Sequence, residues 1–146
     1  MYIQPDSRWK DYQITKDVTI GKYGCLLTTL CNILNILNYN FFPDTLADRL
    51  KEENGFTAAG FIIWEAIFRV FGIKHTKLFD ISKTKFSDDP LKFWIVQVPY
   101  KNTGHFCQII KAEGSDIYYF DVYTGKEKKL IKYISIRELE FTRGKR

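Results

Sequence analysis

The chain has 146 residues, 45% of them hydrophobic and 16% aromatic, enough for one well-filled core and too few for two. Its 22 basic and 17 acidic residues leave a formal charge of +5, densest at Lys126, Lys128, Lys129 and Lys132 and again in the Arg143, Lys145, Arg146 tail, which reads as a solvated basic face or as a surface drawn to an anionic polymer such as a cell-wall glycan, a lipid or a nucleic acid. Nucleic acid is the weakest of these partners, because the aromatics are mixed with aliphatics in core-like patterns and no zinc-finger, helix-turn-helix or RNA-binding signature is present.

The first residues, Met1-Tyr2-Ile3-Gln4-Pro5-Asp6, lack a basic stretch followed by an apolar one, so no signal peptide is expected and synthesis in the cytoplasm is. No window reaches the roughly 18 consecutive apolar residues of a membrane span. Up to Gly24, the small and polar residues Pro5, Asp6, Ser7, Asp11, Asp17 and Gly21 surround isolated Trp9, Tyr12, Ile14 and Ile20. This predicts an extended segment with turns, anchored by a few large side chains.

A first helix is expected from Cys25 to Tyr39, burying Leu26, Leu30, Ile33, Leu34 and Leu37. A second opens at Pro43-Asp44-Thr45, carries Leu46, Ala47 and Leu50, and stops at Asn54-Gly55. A third runs from near Gly60 through Phe61, Ile62, Trp64, Ile67, Phe68 and Phe71 to Gly72. The period then changes. Ile73 to Phe79 alternates as a strand, Lys83 to Leu91 is a polar connection, and Phe93 to Val98 is a buried strand stopped by Pro99. His105 to Lys111 and Ile117 to Val122, joined through Glu113-Gly114-Ser115-Asp116, form an antiparallel hairpin. Thr124-Gly125 turns again, and Leu130 to Ile136 is a further strand or a short helix. Helices first and an antiparallel sheet second define an α+β domain over residues 1–146.

Three cysteines, Cys25, Cys31 and Cys107, make neither a disulfide framework nor a metal cluster, and neither metal nor cofactor is expected. Cys31 and Cys107 sit inside apolar patterns and belong to the core. Cys25 differs, since a thiol at a helix start meets unpaired backbone N–H groups and the positive end of the helix dipole, which favour the nucleophilic thiolate. Of the two histidines, His75 lies between Lys74 and Lys77 as an exposed strand residue, whereas His105 follows Gly104 at a strand start. Alternation puts His105, Cys107 and Ile109 on one face and Phe106, Gln108 and Ile110 on the other. The hairpin brings His105 towards Asp121 at its open end, where the carboxylate can orient an imidazole whose other nitrogen faces a thiol. A cysteine, a histidine or a turn aspartate alone is most often structural; the joint occurrence of Cys25, His105 and Asp121 points to nucleophilic acyl chemistry.

These residues resemble the C39-like branch of the papain-like cysteine peptidases, in particular small stand-alone phage and bacterial members. The likeness is carried by Asp6-Ser7-Arg8-Trp9, Thr19-Ile20-Gly21, Gly24-Cys25-Leu26-Leu27-Thr28-Thr29, Gly104-His105-Phe106 and Asp121-Val122-Tyr123-Thr124-Gly125. The resemblance implies a helical part led by the nucleophile helix and packed on an antiparallel sheet, with Cys25 as nucleophile, His105 as general base and acid, and Asp121 as orienting carboxylate. It implies an oxyanion held by the Cys25 backbone N–H and one side-chain donor. Relatives place a Gln about six residues before the Cys; here that position is Thr19, with Gln13 and Gln4 farther upstream. Phe106 and Val122-Tyr123 replace the usual Trp and Pro-Trp. With no transporter segment, leader-peptide cleavage is not the expected role. A peptide or amide bond in cell-wall (peptidoglycan) peptides is, in a phage or bacterial setting and in association with a virion. The alternatives are a catalytically silent module built among phage structural proteins, and a glutamine deamidase or acyl transferase.

Overall fold

The computed structural model describes residues 1–101 and 103–142, so the basic tail read at Arg143, Lys145 and Arg146 lies outside the described residues. The N-terminal segment is a strap. Asn32 holds it by a reciprocal pair of bonds, accepting from the Tyr2 N–H at 2.7 Å and donating to the Tyr2 carbonyl at 3.1 Å. Trp9, buried, donates from its indole to the Ile3 carbonyl at 2.9 Å. The chain then makes a detour through a two-stranded ribbon, β1 (Gln13–Thr15) and β2 (Val18–Thr19), followed by a single helical turn, α1 (Ile20–Tyr23). Bonds from Ile20 N–H to Tyr12 O and from Gly21 N–H to Lys10 O close this detour on itself.

Helix α2 (Cys25–Ile36) begins at the expected residue and ends earlier than its periodicity suggested. Asn38 takes a left-handed φ of 69°, a conformation Asn tolerates, and Tyr39 leaves the helix. Leu27, Leu30, Ile33 and Leu34 are fully buried and Leu26 only partly; truncating any of the buried four costs about 2–5 kcal/mol. α3 (Pro43–Glu52) follows, with the Thr45 hydroxyl accepting the Phe42 N–H. α4 (Trp64–Phe71) is shorter than expected. Residues 56–62 instead form a turn closed by a bridge between Phe56 and Ile62, and Phe61 is 70% exposed. Gly72, at φ 69°, ends α4 as a left-handed cap.

The second half builds one antiparallel sheet from β3 (Ile73–Leu78), β4 (Lys92–Tyr100), β5 (Thr103–Glu113), β6 (Asp116–Asp121), β7 (Lys126–Lys129) and β8 (Ser135–Phe141), in the order β3-β8-β4-β5-β6-β7. Two expectations are corrected. The last strand lies over Ser135–Phe141 rather than Leu130 to Ile136 and enters the middle of the sheet, while the lysine run forms an exposed edge strand. Pro99 does not stop its strand. The Gln97 carbonyl accepts from Ile134 on the β8 side, so Pro99, two residues on, faces that same side. There β8 has already ended at the Gln97–Ser135 pair, and the missing N–H breaks no ladder bond.

The sheet carries a core on each face. Phe93, Ile95, Leu139 and Phe141 pack with the helices, whereas Trp94, Val96, Val98, Cys107, Ile109 and Ile136 pack under Leu78, Ile81, Phe86, Leu130 and Tyr133. Among the described residues no helix is long and apolar enough to cross a membrane.

Candidate active site

The hairpin of β5 and β6 sets the first half of the site. Its register pairs Gln108 with Phe120, which places Asp121 across from Cys107 and diagonally from His105, and a bulge between Ile109 and Lys111 absorbs the unequal arm lengths. His105 Nε2 lies 2.9 Å from Asp121 Oδ1, and both side chains are buried. The same oxygen accepts the Tyr123 N–H at 2.9 Å, while Oδ2 accepts from Lys128 Nζ at 2.7 Å. Burial works to raise the Asp121 carboxyl, but the bonds from Lys128, His105 and Tyr123 outweigh it and hold the group well below the usual carboxylate range. Asp121 is therefore ionised at any physiological pH. With Nε2 committed to the carboxylate, Nδ1 is the imidazole nitrogen left for another partner. Gly104 permits this strand opening: a Cβ there would meet the Gln97 side chain at 2.0–2.7 Å.

Helix α2 sets the second half. It packs on β5, with the Thr29 hydroxyl donating to the Phe106 carbonyl at 3.0 Å. At its head the half-buried Cys25 Sγ accepts the Phe106 N–H at 3.5 Å, so the sulfur is tied to the backbone of the residue after His105, and among the described residues no hydrogen bond joins it to the imidazole itself, which bonds Asp121. The sequence led us to expect a lowered thiol pKa. The balance is the opposite: burial pushes the Cys25 thiol up, the N–H groups of Phe106, Leu26 and Cys25 itself pull it down by less, and the negative Asp121 raises it further. The resting thiol is protonated, so reaction at the sulfur calls for a base.

The candidate oxyanion donors diverge. Thr19 caps α1 without a side-chain bond to the helix, and Gln13 is exposed, paired opposite Thr19 in the ribbon, with its carbonyl accepting from Lys51. Gln4 is the buried amide at this place, only 3% exposed. Its backbone N–H donates to the Val122 carbonyl beside Asp121 at 2.7 Å, and its Nε2 donates to the Gly21 carbonyl, four residues before Cys25, at 3.1 Å. Linear spacing hides it, because the closed detour between Lys10 and Gly21 puts Gln4 21 positions upstream of Cys25. The usable signal was a glutamine five residues before the buried anchor Trp9.

Aromatic rings border the dyad on its open side. Tyr100 lies 5.6 Å from the His105 ring and 6.4 Å from Tyr123, and both tyrosines are partly exposed. His75 is far from this chemistry. It is half-buried rather than exposed, accepting from Arg137 at Nδ1 and lying against Trp64. Cys31 and Cys107 are fully buried, as their apolar surroundings predict.

The ligating atoms of His105, Cys107 and Asp121 lie within 4.8 Å of one another, which invites a test for a metal. Burial, then the charge of Asp121, pushes the Cys107 thiol up, and an ammonium already occupies Asp121 Oδ2. A metal needs the thiolate; the donor set fits a proton and an ammonium better than a second cation. Compared with known proteins, the chain matches no protein family and no curated protein.

Proposed function

We propose that the chain is a C39-like cysteine peptidase or amidase that hydrolyses a peptide or amide bond of cell-wall peptides in a phage or bacterial setting. One observation carries the reading: the buried His105–Asp121 bond of 2.9 Å stands one residue from the Phe106 N–H that binds Cys25 Sγ at 3.5 Å. In this mechanism His105 Nδ1 takes the thiol proton as Cys25 Sγ attacks the carbonyl carbon. The oxyanion is met by the Cys25 N–H at the head of α2 and by an N–H of the Gln4 amide, to which we assign the role in place of Thr19 or Gln13. Collapse breaks the C–N bond, the imidazolium protonates the leaving amine, and water then cleaves the thioester with His105 again as base. Asp121, ionised throughout, keeps the imidazole in the tautomer that presents Nδ1 as acceptor.

The raised Cys25 thiol favours the second reading, a silent module among phage structural proteins. Incubation with peptidoglycan and with a peptide library separates the two. New amines are expected from the wild-type chain, and their release should fall by about 10⁴-fold or more in Cys25→Ala. Equal release by the variant, or none by either protein together with no preference of iodoacetamide for Cys25 over Cys31 and Cys107, selects the silent module.

A further inference from the structure

The lysines of β7 read as a solvated run, yet one of them, with its side chain 43% exposed, reaches in to a buried carboxylate. Lys128 Nζ sits 2.7 Å from Asp121 Oδ2, on a carboxylate whose side chain is only 7% exposed. The division of labour on Asp121 is complete: Oδ1 takes His105 and the Tyr123 N–H, and Oδ2 takes Lys128. Lys129, its neighbour, turns to Asp116 instead. Lys128 lines an open groove of about 540 Å³ with Val98, Pro99, Tyr119, Ile131 and two further lysines, Lys129 and Lys132.

We infer that Lys128 is a positioning residue of the dyad: its ammonium pins the second carboxylate oxygen of Asp121 and offsets its charge, so that His105 is oriented without being locked as imidazolium. This rests on the hydrolase reading above. A base that must accept the Cys25 proton has to be neutral at rest, and an unopposed buried carboxylate at 2.9 Å would favour the cation. The other groups facing the dyad do not replace Lys128. Lys126, opposite Asp121 in the ladder, is exposed, and Lys101 lies over the Tyr100 ring. Cys25, Cys107 and Tyr119 have pKa values raised first by burial and stay uncharged near neutral pH.

The test is a ring-nitrogen NMR titration of His105 in the whole protein, with its signal assigned by loss in His105→Gln. Lys128→Met is expected to raise the His105 midpoint by about one pH unit, a tenfold gain in proton affinity. Lys128→Arg should restore it to within a few tenths. Lys132→Met removes a lysine from the same groove without touching Asp121 and should leave the midpoint in place. Lys128→Gln, which keeps a donor but no charge, should follow Met and covers the case in which Met does not fold. An unchanged or lowered midpoint in folded Met or Gln variants, or an equal shift in Lys132→Met, overturns the inference. The titration needs no substrate, so it stands or falls separately from amine release. Where amine release is present, the acid limb of its pH profile should move with the midpoint.

Discussion

The two sides of the site are held by different means. Cys25 is fixed by backbone: the head of α2, the Phe106 N–H at 3.5 Å and the Thr29 bond that ties α2 to β5. His105 is fixed by charge, through a carboxylate that takes three donors from three segments. The contrast explains the opposite shifts, because burial dominates where only backbone dipoles answer it, and loses where an ammonium and an imidazole do. It also divides the consequences of mutation, since changes on the sulfur side should remove chemistry and changes on the carboxylate side should move its pH dependence as well.

The largest effect after loss of the nucleophile is expected at Asp121. Asp121→Asn keeps the shape but removes the charge, offers His105 an ambiguous partner and leaves Lys128 without its carboxylate. Amine release should drop by about 10²- to 10⁴-fold, while iodoacetamide labelling of Cys25 persists at alkaline pH, where ionisation needs no base. If activity is retained, the carboxylate is not the orienting group. Gln4→Ala comes next. Loss of one oxyanion donor should lower kcat by about 10²- to 10³-fold with little change in Cys25 labelling. Equal activity of Gln4→Ala and wild type, beside a large loss in Gln13→Ala or Thr19→Ala, would return the role to the ribbon.

That pairing shows where sequence reading works and where it fails. The head of α2 was legible because a 3.6-residue apolar period starts abruptly at Cys25 after Gly24, and the hairpin because its turn at Gly114-Ser115 fixes which residues share a face. Gln4 was not, since the detour through β1, β2 and α1 breaks any fixed spacing to Cys25. Nor was Lys128 singled out, because a lysine in an exposed edge strand looks solvated until the partner of its ammonium is known. The place of β8 was missed for a related reason. Arg137, Glu138 and Glu140 disguise a strand whose Leu139 and Phe141 are buried between β3 and β4 neighbours. Arg137 lies over the Trp64 ring and Glu138 accepts the Trp94 indole N–H, so two of these polar side chains have aromatic partners.

The smallest effect concerns stability and follows from the same two kinds of support. Asp121 has a folded pKa below its unfolded value, near 3.9, so its stabilising share is present above about pH 4 and is lost as pH falls towards the lower folded value. The three thiols behave in reverse. Burial pushes Cys25 and Cys107 up and Cys31 up to about 12, so above the unfolded thiol value near 8.5 the unfolded chain binds fewer protons and stability must fall with rising pH. Denaturant midpoints measured between about pH 8 and 10 should therefore decline for wild type and decline less for Cys31→Ala, compared with that variant's own value at pH 7. A flat profile for wild type would mean that the thiols ionise as easily in the fold as out of it, and the protonated resting state of Cys25, from which the need for His105 as base follows, would lose its support.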